Sequence, residues 1–359
     1  MEKRIISWGQ LLLLLFMCRV FTLMTFIPFT SGDIDLQLLG TAISTAIQAV
    51  ILIPVVILKD SATDVLLKKC RPLGIAATVL YLLFFLLYTV NGLLHFQNFL
   101  SARFFPTADS TLWIAVLLVI CVYCGCLGIE ALGRSAVVVF WLFIAAVTAM
   151  LFSSVQAIDT ANLYLSPVTP KSLFAAVLDD LSRNGEIVAL AFLAKHVKEK
   201  HRCGAYGLLA AKLLLVEGVM LLICMVLGDF ARLTDYPFLS LGTFGGARFL
   251  QRSDSLYLIV WTITAVLNIA LFLHLSAGLM EEVFPKMKLR TSVAAVLVFG
   301  TVMIFTLTGL DFDPVYRILC SGYSVIFLTG SLPLTALIIK NKKHSTLHSP
   351  NSTLDQESR

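Results

Sequence analysis

The chain has 359 residues, of which 58 % are hydrophobic and only 14 % are charged. Because soluble domains are about 45–50 % apolar and about 25 % charged, this composition excludes a soluble enzyme, a disordered chain and a disulfide scaffold. The formal net charge of +5 does not indicate nucleic-acid binding, because the basic residues are distributed as in the loops of a membrane protein.

Ten apolar runs follow one another along the chain, and a bilayer-spanning helix needs about 20 such residues. Each run is bounded by Pro, Gly, Asn, Asp or a cluster of charges, which mark helix ends and loops. The predicted helices cover residues 7–30, 36–58, 74–96, 111–127, 135–156, 172–195, 204–228, 254–278, 291–310 and 315–339. We therefore predict an all-α polytopic membrane protein in which residues 1–339 form one transmembrane domain. The polar residues 340–359 are predicted to be a disordered cytoplasmic tail.

The basic residues orient these helices in the bilayer. With the N-terminus in the cytoplasm, the cytoplasmic segments hold seventeen Lys and Arg residues, and the outer segments with their edges hold six. Short cytoplasmic loops of membrane proteins carry such an excess of basic residues. We therefore expect both termini to be cytoplasmic.

Predicted helix 6 differs from the other helices because charges stand in its middle. It reads Leu-Asp-Asp-Leu-Ser-Arg-Asn-Gly-Glu over residues 178–186, and a charge in hydrocarbon marks a functional site by default. Either the helix is broken near 182–185, or a surface loop precedes a span that begins at Glu186. The second alternative leaves about nine apolar residues before Lys195, too few to cross, so a broken helix is favoured.

A broken helix at the midplane is typical of transporters with inverted repeats, in which the half-helix ends bind substrate groups and ions. Ten helices divide into a 5+5 inverted repeat, with helices 1 and 6 as the matching discontinuous pair. Predicted helix 1 contributes Arg19 and Thr22, although its middle holds no glycine. We expect Arg19 to pair with Glu186 or Asp179, either within the site or for packing alone.

Predicted helix 7 contributes two further charges, Lys212 and Glu217. Five positions apart, they do not share a helical face, so each is expected to pair with another helix, for structure or for ion or proton coupling. The predicted ligand-binding or coupling residues are Arg19, Thr22, Asp179, Asn184, Gly185, Glu186 and Lys212.

The remaining polar features give weaker signals. The outer segment 229–252 is either a short capping element or a passive loop. Asp311 and Asp313 are interpreted as acids of a solvated turn, and His95 and His274 as packed hydrogen-bond donors. No catalytic motif, phosphate loop or metal-ligand spacing occurs, so we expect neither an enzyme nor a bound cofactor or metal.

Five stretches, spread over nearly the whole chain, carry short motifs in a characteristic order. They are Ile6-Ser7 with Gln10-Leu11, Gly128-Ile129-Glu130-Ala131-Leu132-Gly133-Arg134, Asn184-Gly185-Glu186, Tyr236-Pro237-Phe238, and Arg252-Ser253-Asp254 followed by Trp261. In this order and spacing the chain resembles the endospore germination permease family. It departs from the family's pattern at Gln251, where an acid often stands.

The resemblance implies a fold similar to that of amino acid–polyamine–organocation transporters. It also implies the B subunit of a nutrient germinant receptor in the spore inner membrane, beside an A-type membrane subunit and a C-type lipoprotein. The ligand would be a small nutrient such as an amino acid, sensed without chemical change. The alternative is a secondary amino-acid transporter of the same superfamily, coupled to protons or ions.

Five residues at the edges of spans are predicted to have structural or gating roles: Glu130, Arg134, Pro237, Arg252 and Asp254. Glu130 and Arg134 are four positions apart and share a helical face, so they form either a functional contact or only a local ion pair. Arg252 and Asp254 flank the entry to predicted helix 8 and are expected to lock the outer loop.

Overall fold

The computed structural model describes most of the chain as α-helix. The described residues are 6–25, 34–58, 61–103, 110–163, 168–197, 202–234, 236–244, 254–284, 286 and 290–346. Within them no strand forms, and the extended backbone pairs only in a single parallel bridge between Ile6 and Val197.

Sixteen α-helices account for the described fold. They are α1 (Trp8–Thr25), α2 (Ile34–Ile51), α3 (Ile53–Ile57), α4 (Ala62–Lys69), α5 (Arg71–Arg103), α6 (Ser110–Cys126), α7 (Ile129–Ser154), α8 (Pro170–Ser182), α9 (Gly185–Leu193), α10 (Arg202–Leu227), α11 (Pro237–Phe244), α12 (Asp254–Val283), α13 (Arg290–Thr308), α14 (Asp313–Leu319), α15 (Gly322–Ile326) and α16 (Leu332–Thr346).

Eight helical segments of the described chain are long and apolar enough to cross a membrane. α6 is also apolar but has only 17 residues, and predicted helix 6 is divided between α8 and α9. The structure therefore confirms a helical membrane protein with several spans. The count of ten and the inverted repeat stay predictions.

Several predicted boundaries lie elsewhere in the structure: α5 continues to Arg103 rather than residue 96, and α12 continues to Val283 rather than residue 278. α7 begins at Ile129 rather than residue 135, directly after Gly128, whose φ of 88° is a left-handed conformation that favours glycine. The last helix continues through Thr346, so residues 340–346 of the predicted tail are helical. Residues 347–359 lie outside the described part of the chain.

The predicted break in helix 1 is wrong for the residues that the structure describes, because α1 is continuous from Trp8 to Thr25. Its sequence is a run of Leu, Met and Phe with neither glycine nor proline after Gly9, so nothing local interrupts it. The Thr22 hydroxyl donates to the Cys18 carbonyl one turn earlier at 3.1 Å, within an intact helix. Residues 26–33 lie outside the described chain.

Three other helices are interrupted. α2 passes into α3 at Leu52, α8 into α9 at Arg183 and Asn184, and α14 into α15 at Cys320 and Ser321. The second interruption is the predicted one. The third falls inside predicted helix 10, for which the sequence analysis expected continuity, and a π-helical turn, Phe327–Ser331, follows it.

α1 and α12 form the interior of the bundle. In their candidate spans 72 % and 67 % of the residues are buried, against 28 % for α7 and 22 % for α13. α1 packs on α7, α9, α10 and α12, and α8 packs on α2 and α15. The α8–α9 interruption therefore lies against the most enclosed helix.

Candidate functional site

The interruption between α8 and α9 has a local cause in the sequence. α8 is capped at its start by Thr169, whose hydroxyl accepts a hydrogen bond from the Ser172 N–H at 3.2 Å, and Pro170 follows at the first helical position. At its end, Asn184 has the non-helical angles φ −98° and ψ 49°. Because these angles stop the helix, two backbone carbonyls near its end lose their intrahelical partners.

Gly185 begins α9 because nothing larger fits there. A Cβ atom at this position would lie 2.5 Å from the ring of Tyr88, closer than carbon atoms pack. The glycine thus allows α9 to approach α5, rather than supplying an unusual backbone conformation.

The freed carbonyls are satisfied by side chains from three other helices. Arg19 Nη1 donates to the Arg183 carbonyl at 3.2 Å, and the Tyr88 hydroxyl donates to the same oxygen at 3.3 Å. The Tyr316 hydroxyl donates to the Ser182 carbonyl at 3.3 Å. Buried backbone groups need such partners, and here α1, α5 and α14 supply them.

Arg19 forms its ion pair with Asp180, so the predicted pairing with Glu186 or Asp179 is wrong. Arg19 Nη2 lies 2.9 Å from Asp180 Oδ1, and the two side chains are 4 % and 12 % exposed. Asp179 is 50 % exposed and pairs with Arg183 in its own helix. Adjacent helical residues point about 100° apart, which turns Asp180 inward and Asp179 outward.

Asp180 also accepts hydrogen bonds on its second oxygen. Ser44 Oγ donates to Asp180 Oδ2 at 2.6 Å, and Asn184 Nδ2 donates to it at 3.1 Å. The carboxylate is therefore held by α1, α2 and the interruption itself, as a charge inside a bundle must be.

Lys212 connects the interruption to α10. Its Nζ donates to Asn184 Oδ1 at 2.6 Å and also to the Gln48 side-chain oxygen of α2. It lies 3.5 Å from Glu186 Oε1, and the two side chains are 2 % and 1 % exposed. The predicted pairing of Lys212 with another helix is confirmed, whereas Glu217 has no ion-pair or hydrogen-bond partner among the described residues.

Glu186 differs from the other charges of this cluster. Within the part of the chain that the structure describes, neither of its carboxylate oxygens accepts a hydrogen bond, and its contact with Lys212 is an ion-pair distance without hydrogen-bond geometry. Leaving a buried carboxylate so poorly satisfied is costly. The site thus keeps two acceptor atoms available in its interior.

A small cavity adjoins the cluster. Its volume is about 30 Å³, and its lining includes Arg19, Thr22, Asp179 and Asp180. This is about the volume of one water molecule in the liquid, too small for an amino acid. The Thr22 hydroxyl lies 3.3 Å from the Tyr88 hydroxyl, which places Thr22 beside the group that holds the Arg183 carbonyl.

Sequence reasoning missed five polar residues of this cluster: Asp180, Ser44, Gln48, Tyr88 and Tyr316. Gln48 gave a usable signal, because an amide in the middle of a predicted span needs a partner. Tyr88 and Tyr316 gave none, because tyrosines are common in apolar helices and their direction depends on packing.

Four of the five residues predicted to have gating roles are described, and they lie apart from the cluster. Glu130 and Arg134 form an ion pair within the first turns of α7, with side chains 42 % and 69 % exposed. Pro237 begins the short helix α11, which packs on α7, α10 and α12. Asp254 begins α12, and Arg252 lies outside the described residues.

Aromatic side chains of α5 and α12 enclose the end of α1. The Trp261 indole donates to Thr25 Oγ1 at 2.9 Å, and the Tyr257 hydroxyl donates to the Met24 carbonyl at 2.9 Å. The Phe96 ring stacks on Trp261 with centroids 4.7 Å apart. These contacts fix α1 against α12 at the far end of the described helix.

His274 Nδ1 lies 3.0 Å from the Gly125 carbonyl, in agreement with its interpretation as a packed residue. Among the described residues, no group of three or more His, Cys, Asp or Glu side chains is arranged to hold a metal ion.

An interrupted helix with buried charges, set inside a bundle of apolar helices, defines a multi-pass membrane protein of the permease type. A family model described as spore germination protein matches residues 38–311. The chain therefore belongs to the spore germination protein family, and the resemblance noted in the sequence is confirmed. No individual curated protein matches the chain. The family is a permease-type membrane family and not an enzyme family.

Proposed function

We propose that the chain is the nutrient-sensing membrane subunit of a germinant receptor. The observation that carries this proposal is the α8–α9 interruption, where the enclosed charges Arg19, Asp180, Glu186 and Lys212 meet two helix ends inside the bundle. A ten-helix 5+5 scaffold in the spore inner membrane, with both termini in the cytoplasm, would hold the site between α1 and α8–α9.

The charges match a small zwitterion such as an amino acid. Arg19 and Lys212 are the cations that would meet a carboxylate, and Asp180 and Glu186 are the anions that would meet an ammonium group. Glu186 is the stronger acceptor for the ammonium, since its two oxygens accept no hydrogen bond from the described residues. Charged groups that gain partners inside a low-dielectric site interact more strongly than in water.

Binding requires the site to widen. The adjoining cavity of about 30 Å³ has no room for an amino acid, and the freed carbonyls already accept hydrogen bonds from Arg19, Tyr88 and Tyr316. A ligand would take over some of these partners, so α1, α5 and α14 would shift relative to α8. Such a rearrangement is the signal that partner subunits would receive.

The replacement Glu186→Gln tests the site. It keeps the shape and removes the charge, so we expect the chain to accumulate normally in spores while the germination response to amino acids falls by at least about 100-fold, the loss of a buried charged partner. The measurement is the fall in absorbance of a spore suspension after adding amino acids, with immunoblotting for the chain.

Glu217→Gln is the matched control, because Glu217 also lies within a span but makes no contact with the cluster. We expect its germination response to equal that of the wild type. A normal response from Glu186→Gln spores would disprove the assignment of Glu186.

The proposed partners are an A-type membrane subunit with large soluble parts and a C-type lipoprotein. Mass spectrometry of the chain purified from spore membranes in mild detergent should find both in stoichiometric amounts. Purification of the chain alone, or only with copies of itself, would contradict the receptor proposal and favour the alternative.

The alternative is a secondary amino-acid transporter of the same superfamily. The contact between Glu186 and Lys212 at 3.5 Å favours it, because a buried carboxylate beside a buried amine can carry a coupling proton. The test is amino-acid counterflow in proteoliposomes. Uptake that collapses with the proton gradient, and is lost in Glu186→Gln, would establish transport.

A further inference from the structure

A second and larger cavity lies between α5 and the connection from α13 to α14. Its volume is about 310 Å³, and its polar lining includes Asn91, His95 and Asn98 from α5 and Asp311 and Asp313 from the connection. This volume equals about ten water molecules and falls within the range of small-molecule sites. Among the described residues, it shares no lining residue with the cavity beside the α8–α9 interruption.

The charge of this cavity has one sign. Asp311 and Asp313 are exposed at its rim, and the described residues of its lining include neither Lys nor Arg. Asp311 Oδ1 accepts a hydrogen bond from the Asp313 N–H at 3.0 Å, which fixes the Asp311 side chain at the start of α14. Two carboxylates at one rim, with no basic residue in the described lining, attract a cation.

Asn91 is a second indication of a ligand, independent of the two acids. It is only 5 % exposed, it lines the cavity, and its side chain makes no hydrogen bond within the described part of the chain. Because its side-chain amide has no protein partner among the described residues, it is available to hydrogen-bond a molecule in the cavity. Asn91 therefore supplies a hydrogen-bonding group at the inner wall, opposite the acids of the rim.

The donor set favours an organic cation over a metal. No group of three His, Cys, Asp or Glu side chains in the described chain is arranged around one metal position, whereas Ca²⁺ takes six to eight oxygen ligands. The cavity also has apolar walls from Phe305 and Leu310. A primary ammonium on a short carbon chain satisfies the carboxylates, the amide and these walls together.

We propose that this cavity binds a primary ammonium group, with Asp311 and Asp313 as counter-charges and Asn91 as the hydrogen-bonding anchor. The group belongs either to a free amine or to the ethanolamine headgroup of a lipid. The site is separate from the proposed nutrient site, so its occupancy does not depend on Glu186.

The test uses the full chain in nanodiscs of phosphatidylglycerol, which contains no amine. Isothermal titration with ethanolamine should show one saturable site. Choline has the same charge but no N–H donors, so it should bind about 10-fold more weakly, the effect of one lost charged hydrogen bond. Glu186→Gln should bind ethanolamine as the wild type does, which separates this proposal from the preceding one.

Two variants test whether the polar residues that line the cavity bind the ammonium group. The double replacement of Asp311→Asn and Asp313→Asn should weaken ethanolamine binding by about 10-fold or more, since two partly screened charges are lost. Asn91→Leu should weaken it by about 10-fold, because one buried hydrogen bond is lost.

Asp159→Asn is the matched control for the acids. Asp159 is likewise exposed and accepts a hydrogen bond from the N–H two residues further on, at 2.9 Å, but it does not line the cavity. We expect its affinity for ethanolamine to be unchanged.

Nanodiscs that contain phosphatidylethanolamine distinguish the two sources of the ammonium. If the lipid headgroup is the ligand, it should co-purify with the wild type, block ethanolamine binding and be lost from the double Asp variant. If a free amine is the ligand, ethanolamine should bind equally well in both lipids. Absence of both ethanolamine binding and lipid retention, or equal binding by the double variant and Asp159→Asn, would overturn the proposal.

Discussion

Two interrupted helices lie side by side in this protein. In both, the interruption leaves backbone groups without their helical partners, but these groups are satisfied in different ways. The α8–α9 interruption carries charges on both sides, whereas the α14–α15 interruption has no charged residue between positions 318 and 339. They are close neighbours, since a Cβ atom on Gly322 would lie 2.6 Å from the Leu178 carbonyl oxygen of α8.

The difference lies in where the freed backbone groups find partners. At α14–α15 the N–H groups find local partners: Ser321 Oγ accepts from the Ser324 N–H at 3.3 Å, and the Cys320 N–H donates to the Tyr316 carbonyl at 2.7 Å. At α8–α9 the two freed carbonyls accept from side chains of three other helices. An interruption held by distant side chains responds when those helices move, and one that caps itself does not. This is the physical reason to place the sensing site at α8–α9.

The largest expected effect is on the buried ion pair of the charged interruption. Arg19→Met leaves Asp180 buried without its cation, which should lower the free energy of unfolding by about 3–5 kcal/mol. The measurement is thermal unfolding in detergent. Arg134→Met is the matched control, because Arg134 forms an ion pair with Glu130 at the surface, and its loss should hardly change the unfolding temperature. Equal shifts in the two variants would contradict the importance of the charged interruption.

The second largest expected effect is a loss of stability at the contact between the two interruptions. Gly322→Ala places a methyl group against the Leu178 carbonyl and should cost about 1–3 kcal/mol of unfolding free energy through overpacking. Gly300→Ala, within α13, meets nothing within 4 Å and should be neutral or slightly stabilising because alanine favours helices. A Gly322→Ala protein as stable as wild type would show that the two helices can separate without cost.

The smallest expected effect is the loss of one tyrosine hydrogen bond at each interruption, which should alter germination at only one of them. Tyr88→Phe removes a hydrogen bond to the Arg183 carbonyl of α8–α9, and Tyr81→Phe removes one to the Leu328 carbonyl, in the π-helical turn after α14–α15. Each loss should cost about 0.5–1.5 kcal/mol.

Only Tyr88→Phe should change the amino-acid concentration that gives half-maximal germination, because it removes a partner of the Arg183 carbonyl in the proposed site. Spore germination over a series of amino-acid concentrations measures this. An equal change in both variants would argue against a special role of the charged interruption.

Much of this fold could be predicted because its signals are local. Long apolar runs predict spans wherever they occur. The break of predicted helix 6 was visible because Asp179, Asp180 and Glu186 cannot face lipid. The interruption at Cys320 could not be foreseen, since Ser and Gly within an apolar run are also compatible with a continuous helix. Helix 1 was expected to break only by analogy with helix 6, and over Trp8–Thr25 its own residues favour continuity.

The candidate site was predicted less completely than the fold. The sequence identified Arg19, Glu186 and Lys212 as charges that need partners, but it assigned Arg19 to the wrong acid. The correct acid depends on how α8 is rotated about its axis, and that rotation follows from packing on neighbouring helices rather than from hydropathy.

The sequence by itself determined the membrane class, the positions of most spans, the family and the segment in which buried charges interrupt a helix. All of these follow from composition and short motifs, which are properties of neighbouring residues. Only the tertiary structure decided that Arg19 pairs with Asp180, that Tyr88 and Tyr316 satisfy the freed carbonyls, and that Glu186 keeps unsatisfied oxygens. Those contacts join residues 95 or more positions apart or depend on what packs around one carboxylate, and the packing of whole helices sets them.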